Sequence, residues 1–146
     1  MKANIFKNNV LNRYVIPAIL LVFAIYAATG CREYPVDEDG LLITEKEECY
    51  VSSFQLLGTD RQNVLTSSVA LGSGIDSIEC TIDATVRFGT DLKNLYPQFM
   101  LGADCKLEPK ITGLTDFSDL TRQWTVVSGN RKIRKTYTVN ISVQTP

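Results

Sequence analysis

An alternation of apolar and polar residues over residues 78–88 limits most narrowly what this chain can fold into. The apolar positions are Ile78, Cys80, Ile82, Ala84, Val86 and Phe88, and the polar positions between them are Glu79, Thr81, Asp83, Thr85 and Arg87. Successive side chains of a strand point to opposite faces of the sheet. A period of two over eleven residues therefore predicts a strand with one buried and one solvated face, whereas a helix would turn these polar residues into its core.

Further strand patterns surround this one. They occupy residues 49–57, 64–71, 98–101, 103–107, 122–128 and 132–143. Gly102 predicts a bend or bulge between two of them, and the pair Gly129-Asn130 predicts a tight hairpin before the last strand. About six or seven short strands without helical patterns indicate an all-β fold, and we expect a single immunoglobulin-like antiparallel β-sandwich over residues 49–146.

The beginning of the chain has the layout of a secretory signal. Lys2, Lys7 and Arg13 precede an uncharged apolar run at residues 15–28, and Ala28-Thr29-Gly30 leads to Cys31. A charged start, an apolar core and a small-residue cleavage site predict that residues 1–30 are a signal peptide. An uncleaved helical anchor and ordinary secretion remain alternatives.

The thiol at position 31 resembles the acylated cysteine of bacterial lipoproteins. The resemblance implies cleavage between Gly30 and Cys31 and a diacylglyceryl group on the Cys31 sulfur, so that the protein would contact the membrane through this lipid. Two or more acyl chains anchor a protein stably, whereas one binds only marginally.

Residues 31–48 mix proline, glycine and acidic residues without a period, which predicts a lipid-anchored acidic tether. Asp37, Glu38 and Asp39 lack the spacing of a calcium loop, so we expect a solvated spacer. This acidic run also resembles, loosely, the surface-export signals of lipoproteins from Bacteroidota.

Composition excludes several classes of function. Histidine is absent, which removes the usual base of hydrolytic triads and the commonest zinc ligand. We predict no cofactor and no metal. Residues 31–146 contain 12 basic and 16 acidic residues, and this mildly acidic net charge of −4 argues against nucleic acid. The one basic cluster, Arg131, Lys132, Arg134 and Lys135, falls on the predicted hairpin, where such charges usually stay solvated.

Three cysteines remain besides Cys31, so at most one internal disulfide can form. Cys80 and Cys105 both fall on predicted apolar faces and are the candidate pair. Small buried thiols would suit the same positions. The third cysteine is Cys49.

The second half of the chain, residues 95–143, resembles the immunoglobulin-like repeats of Bacteroidota surface lipoproteins, many of them domains of unknown function. The matching motifs are Leu95-Tyr96-Pro97, Asp116-Phe117-Ser118, Trp124-Thr125-Val126 and Tyr137-Thr138-Val139. The resemblance implies a setting beside SusC/SusD-like glycan uptake systems, with a glycan or such a transporter complex as partner. It transfers no functional residue.

We therefore expect a non-catalytic lipoprotein of the bacterial outer membrane, at the cell surface rather than on the periplasmic face, that accompanies polysaccharide capture. A structural or adhesive surface module is the alternative. A small hydrolase using Asp116 with Asp119, or Glu79 with Asp83, is the least favoured reading.

No motif identifies the ligand. The exposed aromatics that could stack on sugars are Tyr34, Tyr50 and Tyr96. Trp124 shares a strand face with Val126, which favours a place in the core over a sugar-stacking role.

Overall fold

The computed structural model describes residues 34–146, and every regular element in this part of the chain is a β-strand. The strands are β1 (Val51–Leu57), β2 (Val69–Leu71), β3 (Gly74–Asp76), β4 (Thr81–Val86), β5 (Tyr96–Leu101), β6 (Lys106–Glu108), β7 (Thr121–Val127) and β8 (Arg134–Val143). The prediction of an all-β domain is confirmed. Between residues 34 and 146 no helix is long and apolar enough to cross a membrane.

The eight strands form one hydrogen-bonded sheet in the order β5-β1-β2-β3-β4-β8-β7-β6. Most neighbours are antiparallel, but β3 pairs with β2 and β8 with β4 in parallel. The immunoglobulin-like antiparallel sandwich of six or seven strands is not confirmed, because the described residues form eight strands in a single sheet that includes two parallel pairs.

Aromatic contacts show that the sheet curves until its two ends approach each other. Phe99 of the edge strand β5 packs against Trp124 of β7, with ring centroids 5.1 Å apart. Phe54 of β1 lies 5.0 Å from Phe99, and Phe117 lies 5.9 Å from Trp124. These separations are in the range at which aromatic pairs attract one another. One core therefore fills the curved sheet, and the edge strands β5 and β6 face each other across a gap.

Strand β4 is the centre of the alternation at residues 78–88, and its apolar side chains Ile82, Ala84 and Val86 are buried. The ends of that prediction are wrong, since Ile78 is 87% exposed and Phe88 is 66% exposed, both outside the strand.

Asp76 accounts for the late start of β4. Its carboxylate accepts hydrogen bonds from the backbone N–H groups of Ile78 at 2.7 Å and Glu79 at 3.0 Å. An aspartate that bonds the backbone two residues ahead forms a turn. The chain therefore turns over residues 77–80 before β4 begins.

The predicted strand at residues 64–71 is reduced to β2, and β3 was not predicted. Leu65 makes only an isolated bridge to Val86. Gly72 and Gly74 take positive φ angles of 78° and 84°. These two glycines reverse the chain into β3, which lies parallel to β2.

The hairpin between β7 and β8 is confirmed, with a longer connection than predicted. Strand β7 pairs with β8 over its whole length. Thr121 lies opposite Asn140 at one end, and Val127 lies opposite Arg134 at the other. Residues 128–133 join the strands. The positive φ angle of this loop falls on Arg131, at 62°, and not on the Gly129-Asn130 pair.

Residues 35–48, here called the N-terminal segment, lie against the domain, although the sequence predicts a solvated spacer. Thr44 donates its N–H to the Gly129 carbonyl at 3.0 Å, and Asn130 donates to the Lys46 carbonyl at 2.8 Å. The segment belongs to a compact unit, Pro35–Pro146, that contains all the described core residues.

Arg131 holds the N-terminal segment in place. Its Nε donates to the Asp37 carboxylate at 2.9 Å, and its Nη2 donates to the Leu42 carbonyl at 3.0 Å. Its Nη1 donates to the carbonyls of Asp104 at 3.0 Å and Ser128 at 2.9 Å. The expectation of a solvated basic cluster is therefore wrong for Arg131, whose side chain is mostly buried.

Candidate functional site

Two grooves flank strand β5, one of the two edge strands of the sheet. The larger one, here called the edge groove, has a volume of about 660 Å³ and lies between β5 and β6. Its walls include Leu41, Ser53, Gln55, Lys106, Lys110 and Ile111. The second, called the turn groove, has a volume of about 520 Å³ and includes Gly58, Thr59, Arg61, Gly113 and Leu114. Tyr96 and Gln98 line both grooves, so they form the boundary between them.

The outer face of β5 presents the shared residues. Pro97 is buried and Phe99 joins the core aromatics, so the alternation of a strand turns Tyr96, Gln98 and Met100 outward. Met100 is 65% exposed. The outward face of β5 is therefore a strip of one aromatic, one amide and one apolar side chain.

Strand β1 continues this strip on its other side. Its residues Leu57, Gln55 and Ser53 stand opposite Tyr96, Gln98 and Met100 in the antiparallel register. Within residues 34–146 the side-chain amides of Gln55 and Gln98 make no hydrogen bond to protein. Two adjacent amides with free donors and acceptors beside an aromatic ring suit a ligand rich in hydroxyl groups.

Lys106 is the most strongly paired cation of the edge groove. Its Nζ lies 3.1 Å from carboxylate oxygens of Asp37, Asp39 and Glu108. The hydrogen bond to Asp39 is the largest influence on Lys106 and raises its pKa. Lys106 therefore stays protonated, and the three carboxylates balance its positive charge.

The N-terminal segment supplies one wall of the edge groove, through Leu41. Asp37 holds the base of that wall, because it bonds both Arg131 and Lys106. Desolvation opposes ionisation of Asp37, but the backbone N–H of Leu41 and the Lys106 ammonium outweigh it and lower its pKa to about 2. The carboxylate therefore stays ionised at neutral pH.

The three tyrosines considered from the sequence lie in different surroundings. Tyr96 lines both grooves. Tyr50 packs close to Gly102, where a Cβ would lie 3.1 Å from the Tyr50 ring. Tyr34 is 72% exposed. Trp124 is buried between Phe99 and Phe117, which agrees with a core role.

The carboxylate pairs considered for a hydrolase do not line either groove. Asp116 accepts hydrogen bonds from the N–H and hydroxyl of Ser118, and Asp119 lies 3.9 Å from Arg122. Asp83 accepts from Asn140 at 2.9 Å, and Glu79 lies in the turn before β4. The carboxylates of Asp116, Asp119 and Asp83 are each paired with a protein group.

Cys49, Cys80 and Cys105 are free thiols in the structure, so the candidate bridge between Cys80 and Cys105 is not formed. Cys80 lies in the turn before β4 with a positive φ of 54°, and the Cys105 thiol donates to the Glu48 carbonyl at 3.0 Å. Burial raises the pKa of both Cys49 and Cys105. Over residues 34–146 no cluster of cysteine and carboxylate side chains could hold a metal ion.

The predicted signal peptide, the cleavage site after Gly30 and the lipid attachment at Cys31 lie outside the described residues, which begin at Tyr34. They remain predictions.

Sequence reasoning missed Gln98, Gln55 and the groove cations. The predicted strand began at residue 98, which left Tyr96 in a loop and concealed its alternation with Gln98 and Met100. The signal that could have found Gln98 is this period of two through Pro97, which an edge strand tolerates. Gln55 and the cations lie on other segments of the chain, which only the fold brings to β5.

A family model described as SGBP, N-terminal, matches residues 64–141, just over half of the chain. The matched range contains strands β2 to β7 and most of β8, including β5 with Tyr96 and Gln98.

Three solved structures are similar over 68% of the chain. A candidate glycoside hydrolase of Bacteroides thetaiotaomicron VPI-5482 is 26% identical with a TM-score of 0.53, and the chain covers 26% of its length. A secreted protein of Bacteroides fragilis NCTC 9343 is 13% identical with a TM-score of 0.46 and is covered over 98% of its length. A DUF4623 family protein of Bacteroides eggerthii DSM 20697 is 15% identical with a TM-score of 0.48 and is covered over 22%. No curated protein matches the chain.

Proposed function

The chain belongs to the SGBP N-terminal family, and from this membership we propose that it is a non-catalytic surface module of a Bacteroidota glycan-binding protein, accessory to polysaccharide capture. The match over residues 64–141 carries the proposal. The B. thetaiotaomicron structure supports a setting in glycan metabolism. It belongs to a candidate glycoside hydrolase, of which this chain covers 26% of the length.

The contact surface we propose is the outward strip of β5 and β1. Tyr96 offers a ring face on which the apolar face of a sugar can stack, and Gln98 and Gln55 offer free amides to its hydroxyl groups. Carbohydrate sites commonly need such an apolar platform with a few directed polar groups. The shared position of Tyr96 and Gln98 lets one glycan chain run from the edge groove into the turn groove.

We further propose that the Cys31 sulfur carries the lipid that anchors the protein to the outer membrane, facing the exterior, beside a SusC/SusD-like transporter. The basic and apolar pattern before Cys31 supports this placement. The immunoglobulin-like character of the fold belongs to the same proposal and is supported by the contact between Phe99 of β5 and Trp124 of β7 in one shared core.

Titration of soluble residues 32–146 against a panel of polysaccharides tests the proposal. This fragment holds the complete core of the Pro35–Pro146 unit. We expect binding to at least one polysaccharide and a loss of about tenfold or more, roughly 1.4 kcal/mol, for Tyr96→Ala.

Tyr34→Ala is the matched control, because it removes an exposed tyrosine that lines neither groove. It should bind as the wild type does. An absence of binding throughout the panel would contradict the proposal, and so would equal binding by Tyr96→Ala.

One observation favours the structural or adhesive alternative. Within residues 34–146 the edge strand β5 pairs only with β1 and borders an open groove, so an extended strand from another chain could add to it. Association that increases with protein concentration, measured by sedimentation, would support this alternative. A monomer at all concentrations would exclude it.

A further inference from the structure

We infer that the polysaccharide taken by the β5 surface is acidic, bearing carboxylate or sulfate groups along its chain. This inference rests on the proposed function and adds the chemical class of the ligand.

The charges that line the two grooves all have one sign. The charged side chains of the edge groove are Lys106 and Lys110, and that of the turn groove is Arg61. No carboxylate side chain lines either groove. The whole chain has 16 acidic and 15 basic residues, so this lining of cations departs from the overall balance of the chain.

Two of these three cations are available to a ligand. Lys106 is neutralised by its three carboxylate neighbours. Lys110 is 60% exposed and has Asp39 as its ion-pair partner, at 2.9 Å. Arg61 is exposed and has no ion-pair partner among residues 34–146. An exposed ion pair exchanges its partner at little cost, because such pairs contribute about 0–1 kcal/mol.

The two available cations lie in different grooves, with Tyr96 and Gln98 between them. A strand the length of β5 extends about 17–20 Å, enough for several sugar units. An anionic polymer repeats its charge at intervals, so one chain can place a negative group in each groove while a sugar ring rests on Tyr96. Arginine also matches carboxylate and sulfate oxygens with two parallel N–H donors.

The test uses residues 32–146 and pairs of polysaccharides that differ only in charge. Polygalacturonate is compared with its fully methyl-esterified form, and dextran sulfate with dextran. We expect at least one acidic polymer to bind tenfold or more tightly than its neutral counterpart at low salt. This preference should shrink as salt is raised, since exposed charges are screened beyond about 10 Å at 0.1 M.

Variants locate the effect in the grooves. Arg61→Gln and Lys110→Gln should each weaken binding of the acidic polymer at least threefold. Arg61→Lys should restore most of the loss. Lys132→Gln removes an exposed lysine outside the grooves and should change neither affinity.

The outcomes separate the two proposals. Equal, salt-independent binding of the neutral and acidic forms overturns the present inference and leaves the proposed function standing. Binding to neutral polysaccharides of the panel alone also overturns only the present inference, whereas binding to no member of the whole panel overturns both. A preference for carboxylate over sulfate, or the reverse, identifies which anionic group the surface takes.

Discussion

At the scale of single residues, Trp124 allows a structural role to be distinguished experimentally from a sugar-binding role. Its ring lies in the core between Phe99 and Phe117. Replacing a buried tryptophan by alanine typically costs about 3–5 kcal/mol. We predict that Trp124→Phe loses part of this stability, measured by urea denaturation, and binds glycan normally under conditions where it is folded. Unchanged stability with lost binding would instead make Trp124 a sugar platform.

Asp37 is the second residue with a testable effect. Its pKa is lowered from 3.8 to about 2 in the folded protein, so its ionised form stabilises the fold above pH 3.8 and this contribution is lost as the pH falls through about 2. We predict that Asp37→Asn is less stable than the wild type at pH 7, because Arg131 and Lys106 lose a carboxylate partner.

The pH dependence distinguishes this ionic role from a simple packing change. The difference in thermal midpoint between wild type and Asp37→Asn should narrow between pH 3.8 and about pH 2. Asp76, whose pKa is lowered by hydrogen bonds within its own turn, titrates in both proteins and cancels in the comparison. A difference that stays constant with pH would rule out the ionic role.

At the scale of elements, the short strand β3 depends on the backbone of Gly74. Gly72 and Gly74 both have positive φ, which costs an L-residue about 1–2 kcal/mol. A Cβ at Gly74 would also lie 2.9 Å from the Asp83 carbonyl oxygen, whereas one at Gly72 meets nothing within 4 Å.

We therefore predict that Gly74→Ala destabilises the protein more than Gly72→Ala, as measured by urea denaturation of the two variants. The comparison isolates close strand packing, since the φ penalty is common to both. Equal losses would mean that β3 can move away from β4 without cost.

The strands also show which parts of the fold the sequence pattern could predict. The periods of two in β4 and β8 identify strands because each buries one face against the core. Strand β3 has three residues between glycines, too short for any period to be visible. The parallel pairing of β4 with β8 joins residues about 57 apart, and no local pattern encodes it.

The candidate site was predictable only in part for the same reason. Tyr96 stands out as an aromatic residue beside a proline, and it proves to line both grooves. Its neighbours Gln55, Arg61 and Lys110 come from β1 and two separate loops. The fold alone brings these residues together.

At the scale of the whole molecule, the proposed anchoring to the outer membrane depends on Cys31. We predict that Cys31→Ser abolishes incorporation of labelled palmitate and leaves the unprocessed precursor in the membrane fraction. Cys49→Ser is the matched control, because that thiol is buried in the core, and it should leave labelling intact. Continued labelling of Cys31→Ser would contradict lipid attachment at this residue.

Hydrogen exchange of residues 32–146, with and without the polysaccharide that binds most tightly, tests the central claim most directly. The account predicts that ligand slows exchange in β5 and in the loops that carry Arg61 and Lys110, and leaves the exposed turn at Ile78 unchanged. Protection confined to the Ile78 turn, with none in β5, would contradict it.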